Sequence, residues 1–127
     1  MKWIKKTAEL IKDHIELWNE TDHEKRILLA GKIYSDNIEV IEPSTILNGQ
    51  REIVNFIGNL LDQNQGFLFT FSKPAEIHHE KAILSWYFGP NSNPDSISGY
   101  DIFTIENGLI YSFLVFVNGA TEHNINL

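Results

Sequence analysis

The spacing of apolar residues changes once along this chain, from a helical period to a strand period, and that change restricts the fold most strongly. Near the N-terminus, apolar residues recur at alternating steps of four and three, which predicts a helix with one apolar stripe over residues 2–19. The stripe consists of Ile4, Ala8, Ile11, Ile15 and Trp18. From residue 67 onward the period is two, as in strands. The sequence therefore predicts helices first and strands afterwards.

Two further helices are predicted before the change of period. Thr21 and Glu24 resemble a capping box, with Asp22 as a competing N-cap, for a helix that ends near Tyr34. Residues 35–37 break this helix, and a short strand over residues 38–41 stops at Pro43. After Asn48-Gly49, a second apolar stripe predicts the third helix.

The second half of the chain predicts four strands. They cover residues 67–72, 82–88, 97–105 and 109–117, and Asn107-Gly108 is a strong hairpin signal between the last two. Helices followed by antiparallel strands indicate one α+β domain over residues 1–127, with the helices on one face of the sheet. Residues 120–127 are predicted to be a frayed tail or a strand-exchange arm.

Composition and charge exclude several classes of partner. The formal net charge is −7, and an acidic surface repels phosphate backbones and anionic lipid, so neither nucleic acid nor membrane is expected as a partner. The chain has no Cys, which removes disulfides and thiolate chemistry. Its longest unbroken apolar stretch, residues 113–117, is too short to span a bilayer. We expect a cytoplasmic protein.

Asp101 is the most informative candidate for chemistry. Strand alternation places Phe103 and Ile105 on its face, and burial of a carboxylate in an apolar row is costly. Either Asp101 faces an internal pocket, with Phe103 beside it, or it caps the strand in water. One bulge would exchange Asp101 and Tyr100 between the two faces, so the inward residue stays open.

Other candidates lie on the helices and the first strand. Glu42, held before Pro43 at a sheet edge, is a potential proton acceptor or a solvated turn residue. His14, one helical turn before Trp18, and Tyr34 could donate hydrogen bonds to a ligand or could be boundary residues. Trp86 lies among apolar strand residues and is either core or pocket wall.

Metal binding and serine hydrolase chemistry are not indicated. His78 and His79 are adjacent, so in a strand they point to opposite faces and cannot chelate one ion together. The sequence contains no Gly-x-Ser-x-Gly motif. We therefore assign no metal and no cofactor.

The order of short motifs along the chain resembles the SnoaL-like branch of the nuclear-transport-factor-2-like superfamily. The motifs lie at residues 14–22, 34–43, 48–53, 78–79, 85–86, 99–101 and 107–110. The resemblance implies three helices packed on a strongly curved, mostly antiparallel sheet that encloses a conical pocket. It also implies a homodimer through the sheet. Known members include ketosteroid isomerases, polyketide cyclases and non-catalytic binding domains, so the fold does not fix the function.

The same resemblance assigns roles to three residues. His14 stands where the isomerase branch has an oxyanion-donating tyrosine, and Glu42 stands where it has its basic aspartate. Asp101 matches its second oxyanion donor, a protonated aspartate, which is a well-known example of a carboxylic acid kept neutral. In the cyclase branch, an acidic residue of the late strands acts as acid or base, and Asp101 could supply it.

Three functions remain open at this point. The first is an isomerase- or cyclase-type enzyme that performs cofactor-free proton transfer on a small apolar carbonyl compound. Asp101 would then be the acid or hydrogen-bond donor and Glu42 the base; His14 and Tyr34 would orient the substrate, and Trp18 and Trp86 would line the apolar wall. The second is a binding protein for a small apolar molecule. The third is a dimerisation domain whose pocket is filled by its own side chains, among them Phe69, Trp86 and Phe113.

Overall fold

The computed structural model describes residues 2–120, with side chains from residue 4 onward. Three helices precede most of the sheet: α1 (Lys2–Trp18), α2 (His23–Ile33) and α3 (Gln50–Gln63). The strands are β1 (Tyr34–Glu42), β2 (Thr45–Asn48), β3 (Leu68–Phe71), β4 (Glu76–His78), β5 (Lys81–Gly89), β6 (Ile97–Glu106) and β7 (Leu109–Val117). The predicted α+β class is confirmed.

The strands form one seven-stranded sheet in the order β2-β1-β7-β6-β5-β3, and β4 pairs with β5 beside this path. β1 runs parallel to β7, and every other pairing among the described strands is antiparallel. α1 and α2 precede β1, and only α3 separates the β1–β2 hairpin from the other strands; β1 pairs with β7 on the side opposite β6. The sheet is therefore mixed and mostly antiparallel, as predicted.

Local sequence signals explain where the helices begin. Asp22 caps α2, because its carboxylate accepts a hydrogen bond from the Lys25 backbone N–H at 2.9 Å. Asp22, and not Thr21, is thus the N-cap. Before α3, Gly49 takes a φ of 86°, a conformation that favours glycine. α1 ends at Trp18, one residue before its predicted limit.

α2 ends at Ile33, close to the predicted limit, but the strand that follows begins earlier than the predicted residue 38. β1 begins at Tyr34, directly after α2, and its register with β7 shifts between Tyr34 and Glu39. The polar tripeptide therefore lies inside the strand as its irregular part. Two short strands were not predicted. β2 and β4 have few buried residues, so their apolar alternation is too weak to indicate a strand.

The helices cover the inner face of the sheet. On β6 the buried residues are Gly99, Asp101, Phe103 and Ile105, an uninterrupted alternation. From Gly99 to Thr104 the β6–β7 pairing is regular and includes Asp101 with Val115. The register of this pair shifts after Thr104. Irregularities of this kind bend strands, which agrees with the curved sheet that the resemblance implies.

No helix within residues 2–120 has the length and apolar character that crossing a membrane requires.

Candidate functional site

A cavity of about 190 Å³ lies between the helices and the inner face of the sheet. Its wall is mainly apolar and aromatic. The lining residues are His14, Ile15, Trp18, Glu42, Phe56, Leu60, Asn64, Phe69, Trp86, Phe88, Ile97, Asp101, Val115 and Val117. Ile97 is exposed and several others, among them Glu42 and Asn64, are half-buried, so the cavity is open to solvent. Apolar walls with a few convergent polar groups are typical of small-molecule sites.

Asp101 faces this cavity and is only 5% exposed. Tyr100 points to the opposite face of the sheet, where its ring stacks on Phe116 at a centroid distance of 5.2 Å. Both Asp101 oxygens are hydrogen-bonded: Oδ1 accepts from Trp86 Nε1 at 3.0 Å, and Oδ2 lies 3.1 Å from His14 Nε2. The question left open by the sequence is thus answered in favour of Asp101.

His14 connects Asp101 to Tyr34. The imidazole is 1% exposed, and its second nitrogen, Nδ1, lies 2.7 Å from the Tyr34 hydroxyl. That hydroxyl also accepts a hydrogen bond from Trp18 Nε1 at 3.0 Å. The five side chains form one continuous buried chain of hydrogen bonds, in the order Trp18, Tyr34, His14, Asp101 and Trp86. We call it the buried network.

One arrangement of protons gives every donor of the buried network an acceptor. The Trp18 indole can only donate, so the Tyr34 oxygen accepts from it and the Tyr34 hydrogen points to His14 Nδ1. His14 is then the neutral tautomer with its hydrogen on Nε2, and it donates to Asp101. Asp101 accepts from His14 and Trp86 and donates to neither, which is the behaviour of a carboxylate. If Asp101 were protonated and donated to His14 Nε2, the imidazole hydrogen would lie on Nδ1 and the Tyr34 hydrogen would have no acceptor among the described residues.

The environment of Tyr34 supports this arrangement. Burial raises the pKa of the Tyr34 phenol well above its ordinary value, and the negative charge of Asp101 raises it further. The hydrogen bond from Trp18 opposes these effects without cancelling them. Tyr34 thus keeps its hydrogen and remains a donor to His14.

Glu42 lies at the mouth of the cavity, at the end of β1. Ile41 pairs with Leu114, and Asp101 pairs with Val115, so Glu42 is two strands away from Asp101. At about 4.8 Å per strand, the two backbone positions are ~10 Å apart across the sheet. The Glu42 carboxylate accepts hydrogen bonds from the backbone N–H and the hydroxyl of Ser44, which hold it at the sheet edge.

The predicted site residues divide into two groups. His14, Trp18, Glu42, Trp86 and Asp101 line the cavity. Tyr34 and Phe103 are not among the lining residues. Both contact His14: the Phe103 ring meets the imidazole edge-on at 4.9 Å, and the Tyr34 hydroxyl lies 2.7 Å from Nδ1. These contacts hold the orientation of His14.

Sequence reasoning missed part of the apolar wall and had named Phe69 only as a side chain that fills the pocket. Phe56 and Leu60 come from α3, and Phe69 and Phe88 come from β3 and β5. Phe69 stacks on Phe88 at 4.1 Å and meets the edge of Trp86 at 5.4 Å. Phe56 precedes Leu60 by one helical turn, so the stripe on α3 was a usable signal. The contribution of β3 depends on its pairing with β5, which no local pattern reveals.

The residues that the structure describes contain no group of three His, Asp or Glu side chains placed to hold a metal ion. His78 ends β4, and His79 follows it in a turn with φ of 51°.

Comparison with known proteins gives structural relatives only. No family model and no curated protein matches the sequence. A candidate isomerase of the SnoaL-like family from Agrobacterium tumefaciens superposes with a TM-score of 0.83 at 22% identity, over 91% of this chain and 99% of the other.

Two further solved structures have the same fold. A protein of unknown function with a cystatin-like fold from Methylobium petroleophilum gives a TM-score of 0.76 at 16% identity, over 95% of this chain and 81% of the other. A candidate polyketide cyclase from Sinorhizobium meliloti gives 0.69 at 10% identity, over 85% and 94%. Identities this low establish the fold and not the activity. The chain therefore has a cystatin-like fold, similar to the folds of the solved SnoaL-like and nuclear-transport-factor-2-like proteins.

Proposed function

We propose that this protein binds a small, largely apolar molecule in its central cavity and performs cofactor-free proton transfer on it. The observation that carries the proposal is the Asp101 carboxylate, buried in an apolar wall and hydrogen-bonded by His14 and Trp86. Such a group is held in one position and is poorly hydrated. Those are the properties of a proton acceptor for a weak carbon acid.

The buried network changes the role that the sequence suggested for Asp101. A carboxylate that accepts two hydrogen bonds is a base and has no hydrogen to donate. In the proposed reaction, Asp101 takes a proton from the carbon next to a carbonyl group, which leaves an enolate, and returns it to the same or another carbon. Glu42, predicted as the base, is a second proton acceptor at the mouth of the cavity.

Solvent exchange tests this reaction without knowledge of the natural substrate. Small cyclic ketones and 1,3-dicarbonyl compounds are incubated with the protein in D₂O, and the replacement of C–H by C–D is followed by proton NMR. We expect faster exchange with the protein than in buffer, and a loss of about 10²–10⁴-fold in the protein-dependent rate for Asp101→Asn. Asp95→Asn, in the exposed loop before β6, is the matched control.

The role of Glu42 is tested in the same assay. Glu42→Gln should slow exchange, whereas Glu39→Gln, on the exposed face of the same strand, should not. Exchange that is equal in the parent and in Asp101→Asn would refute the assignment of the base.

A second candidate, binding without turnover, is favoured by one specific observation. The indole N–H groups of Trp18 and Trp86 and the Nε2–H of His14 all have acceptors within the buried network. None of them is free to stabilise the oxyanion of an enolate, on which this kind of catalysis largely depends. A bound compound that is extracted unchanged, together with no exchange in D₂O, would establish this alternative.

We also propose a homodimer that forms through the outer face of the sheet. Ile41 is flanked by Ile46 and Leu114 in the strand register, and each is at least 38% exposed. An exposed apolar patch of this kind marks an interaction surface. In sedimentation experiments, Leu114→Lys should give a monomer. Leu28→Lys, at the most exposed apolar position of α2, should leave the mass unchanged. A monomeric parent protein would refute the proposal.

A further inference from the structure

The cavity presents hydrogen-bond acceptors to a ligand and almost no donors. Trp18, Trp86 and His14 each use their N–H group inside the buried network. A carboxylate has about four lone-pair positions, and the network occupies two of those on Asp101. Asp101 therefore keeps free acceptor capacity toward the cavity that it lines, and a ligand can engage it only by donating a hydrogen.

Asn64 does not change this polarity where the ligand would meet Asp101. One of its two amide hydrogens donates to the Leu60 carbonyl oxygen at 2.8 Å, and the other remains available at the end of α3, an element that carries neither Asp101 nor Trp86. The strands that carry Asp101 and Trp86 supply no further donor side chain to the lining. The polar recognition at the Asp101 position thus consists of acceptance alone.

The charges around the cavity act against an anionic ligand. Glu42 and Asp101 are its acidic lining residues, and neither Lys nor Arg is among the described residues that form the wall. A carboxylate or phosphate ligand would meet like charge in a poorly hydrated site and would find no cation to pair with.

The volume limits the ligand to about one ring. An engineered protein cavity of about 150 Å³, lined by apolar side chains, binds one benzene molecule. The present cavity of about 190 Å³ is about a quarter larger, which leaves room for one ring with a small substituent. A fused four-ring molecule, such as a steroid, exceeds this volume and could enter the cavity only in part.

We infer that the cavity selects a ligand of about one ring that carries no negative charge and donates a hydrogen bond to Asp101, such as a phenol. The inference rests on the small-molecule site of the proposed function and narrows its ligand class. It does not depend on turnover, because acceptor polarity, charge and volume act on binding alone.

Four compounds separate these three requirements, with binding to the parent protein followed by NMR chemical-shift titration. Phenol has the expected size and a donor; anisole has nearly the same shape and only an acceptor; benzoate is an anion; estradiol is a phenol with four rings. We expect phenol to bind at least tenfold more tightly than anisole, with shifts at the Trp18 and Trp86 indoles, and neither benzoate nor estradiol to bind. The series needs no variant, so a folding defect cannot obscure it.

A variant then tests whether Asp101 is the acceptor that causes the preference for phenol over anisole. Asp101→Asn replaces one carboxylate oxygen by an N–H donor and should reduce the preference for phenol over anisole to less than threefold. Asp95→Asn, in the exposed loop, should keep the full preference. Equal binding of phenol and anisole to the parent would overturn the inference, as would binding of benzoate or estradiol or the failure of phenol to bind.

The outcome is distinguishable from that of the proposed function. A preference for phenol without exchange in D₂O refutes the enzyme and leaves the ligand class intact. Protein-dependent exchange on a ketone, in a protein that does not prefer phenol, refutes the ligand class and leaves the enzyme intact.

Discussion

The Tyr34 hydroxyl is the point at which the buried network can be opened with the least change in packing. Tyr34→Phe deletes one oxygen and keeps the ring, which stacks on Phe113 at 5.9 Å. Two buried groups then lose their partners: the Trp18 Nε1–H and the His14 Nδ1 acceptor. The ring does not line the cavity, so the variant leaves the cavity wall in place.

The expected loss of stability follows from these two unpaired groups. Each buried polar group left without a partner costs about 1–3 kcal/mol. Part of this cost is offset because the variant no longer buries a hydroxyl. We expect the free energy of unfolding to fall by about 2–4 kcal/mol, a large share of the ~5–15 kcal/mol that is typical of a domain. With about 2.1 cal/mol/K per residue over 127 residues, the melting temperature should fall by roughly 7–15 °C.

Urea unfolding, followed by far-UV circular dichroism, measures this loss. Tyr111→Phe is the matched control, because Tyr111 is 44% exposed and forms no side-chain hydrogen bond with any described residue. It should change stability by less than about 0.5 kcal/mol. In parallel, ¹⁵N shifts of the imidazole should show the Nε2–H tautomer of His14 in the parent protein.

Two results would refute this reasoning. If Tyr34→Phe cost no more than Tyr111→Phe, the hydrogen bonds of the buried network would not contribute to stability. If His14 carried its hydrogen on Nδ1, the direction of the network would be reversed. Asp101 would then have to donate a hydrogen to His14 Nε2. It would be protonated, which is the state that the resemblance implied.

Three further predictions concern pH and packing. The pKa of Tyr34 is higher in the folded chain than in the unfolded chain, so its contribution to the free energy of unfolding is fully present below about pH 10 and is lost as the pH rises further. Tyr34→Phe should therefore reduce the fall of stability at alkaline pH, as measured by urea unfolding. Gly99→Ala would place its Cβ against the backbone oxygen of Phe116 and 2.6 Å from the Trp86 ring, and should cost about 1–3 kcal/mol. Gly31→Ala on α2, whose Cβ would make an ordinary contact with the Gln50 side chain at 3.7 Å, should add about 1 kcal/mol in thermal unfolding. Arg26 is 8% exposed; its Nη1 donates to the Glu20 carbonyl oxygen at 2.9 Å, but its Nε has no partner among the described residues, so Arg26→Met should raise the unfolding free energy by about 1 kcal/mol; a loss instead would show that the guanidinium is stabilising.

The fold could be predicted from the sequence because its signals are local. The apolar stripes of α1 and α3, the N-cap at Asp22 and the Asn107-Gly108 turn each depend on residues close in the chain. The parallel pairing of β1 with β7 joins Val40 to Phe113 and has no such local signal. Periodicity predicted only the α+β class. The order of the motifs implied the helices packed on a strongly curved sheet.

The sequence predicted several residues of the site, but it did not predict the hydrogen bonds between them. Alternation on β6 identified Asp101, and helical spacing placed His14 on the side of Trp18. The hydrogen bond between His14 and Asp101 spans 87 positions of sequence, and no pattern in either element predicts it. Tyr34 was expected to face the ligand because a position at the end of a helix does not reveal which layer of the core it enters.

The proton arrangement of the buried network bears on both functions that the fold leaves open. In a site with free donors, an enolate oxygen would be stabilised, and an isomerase would be the natural conclusion. Here the donors of Trp18, Tyr34, His14 and Trp86 are all used within the buried network. The donors of His14 and Trp86 stabilise the Asp101 carboxylate and are not available to stabilise an anion of the substrate. A ligand must therefore bring the hydrogen with it. If that hydrogen is on oxygen or nitrogen, the result is selective binding; if it is on an acidic carbon, Asp101 can remove it.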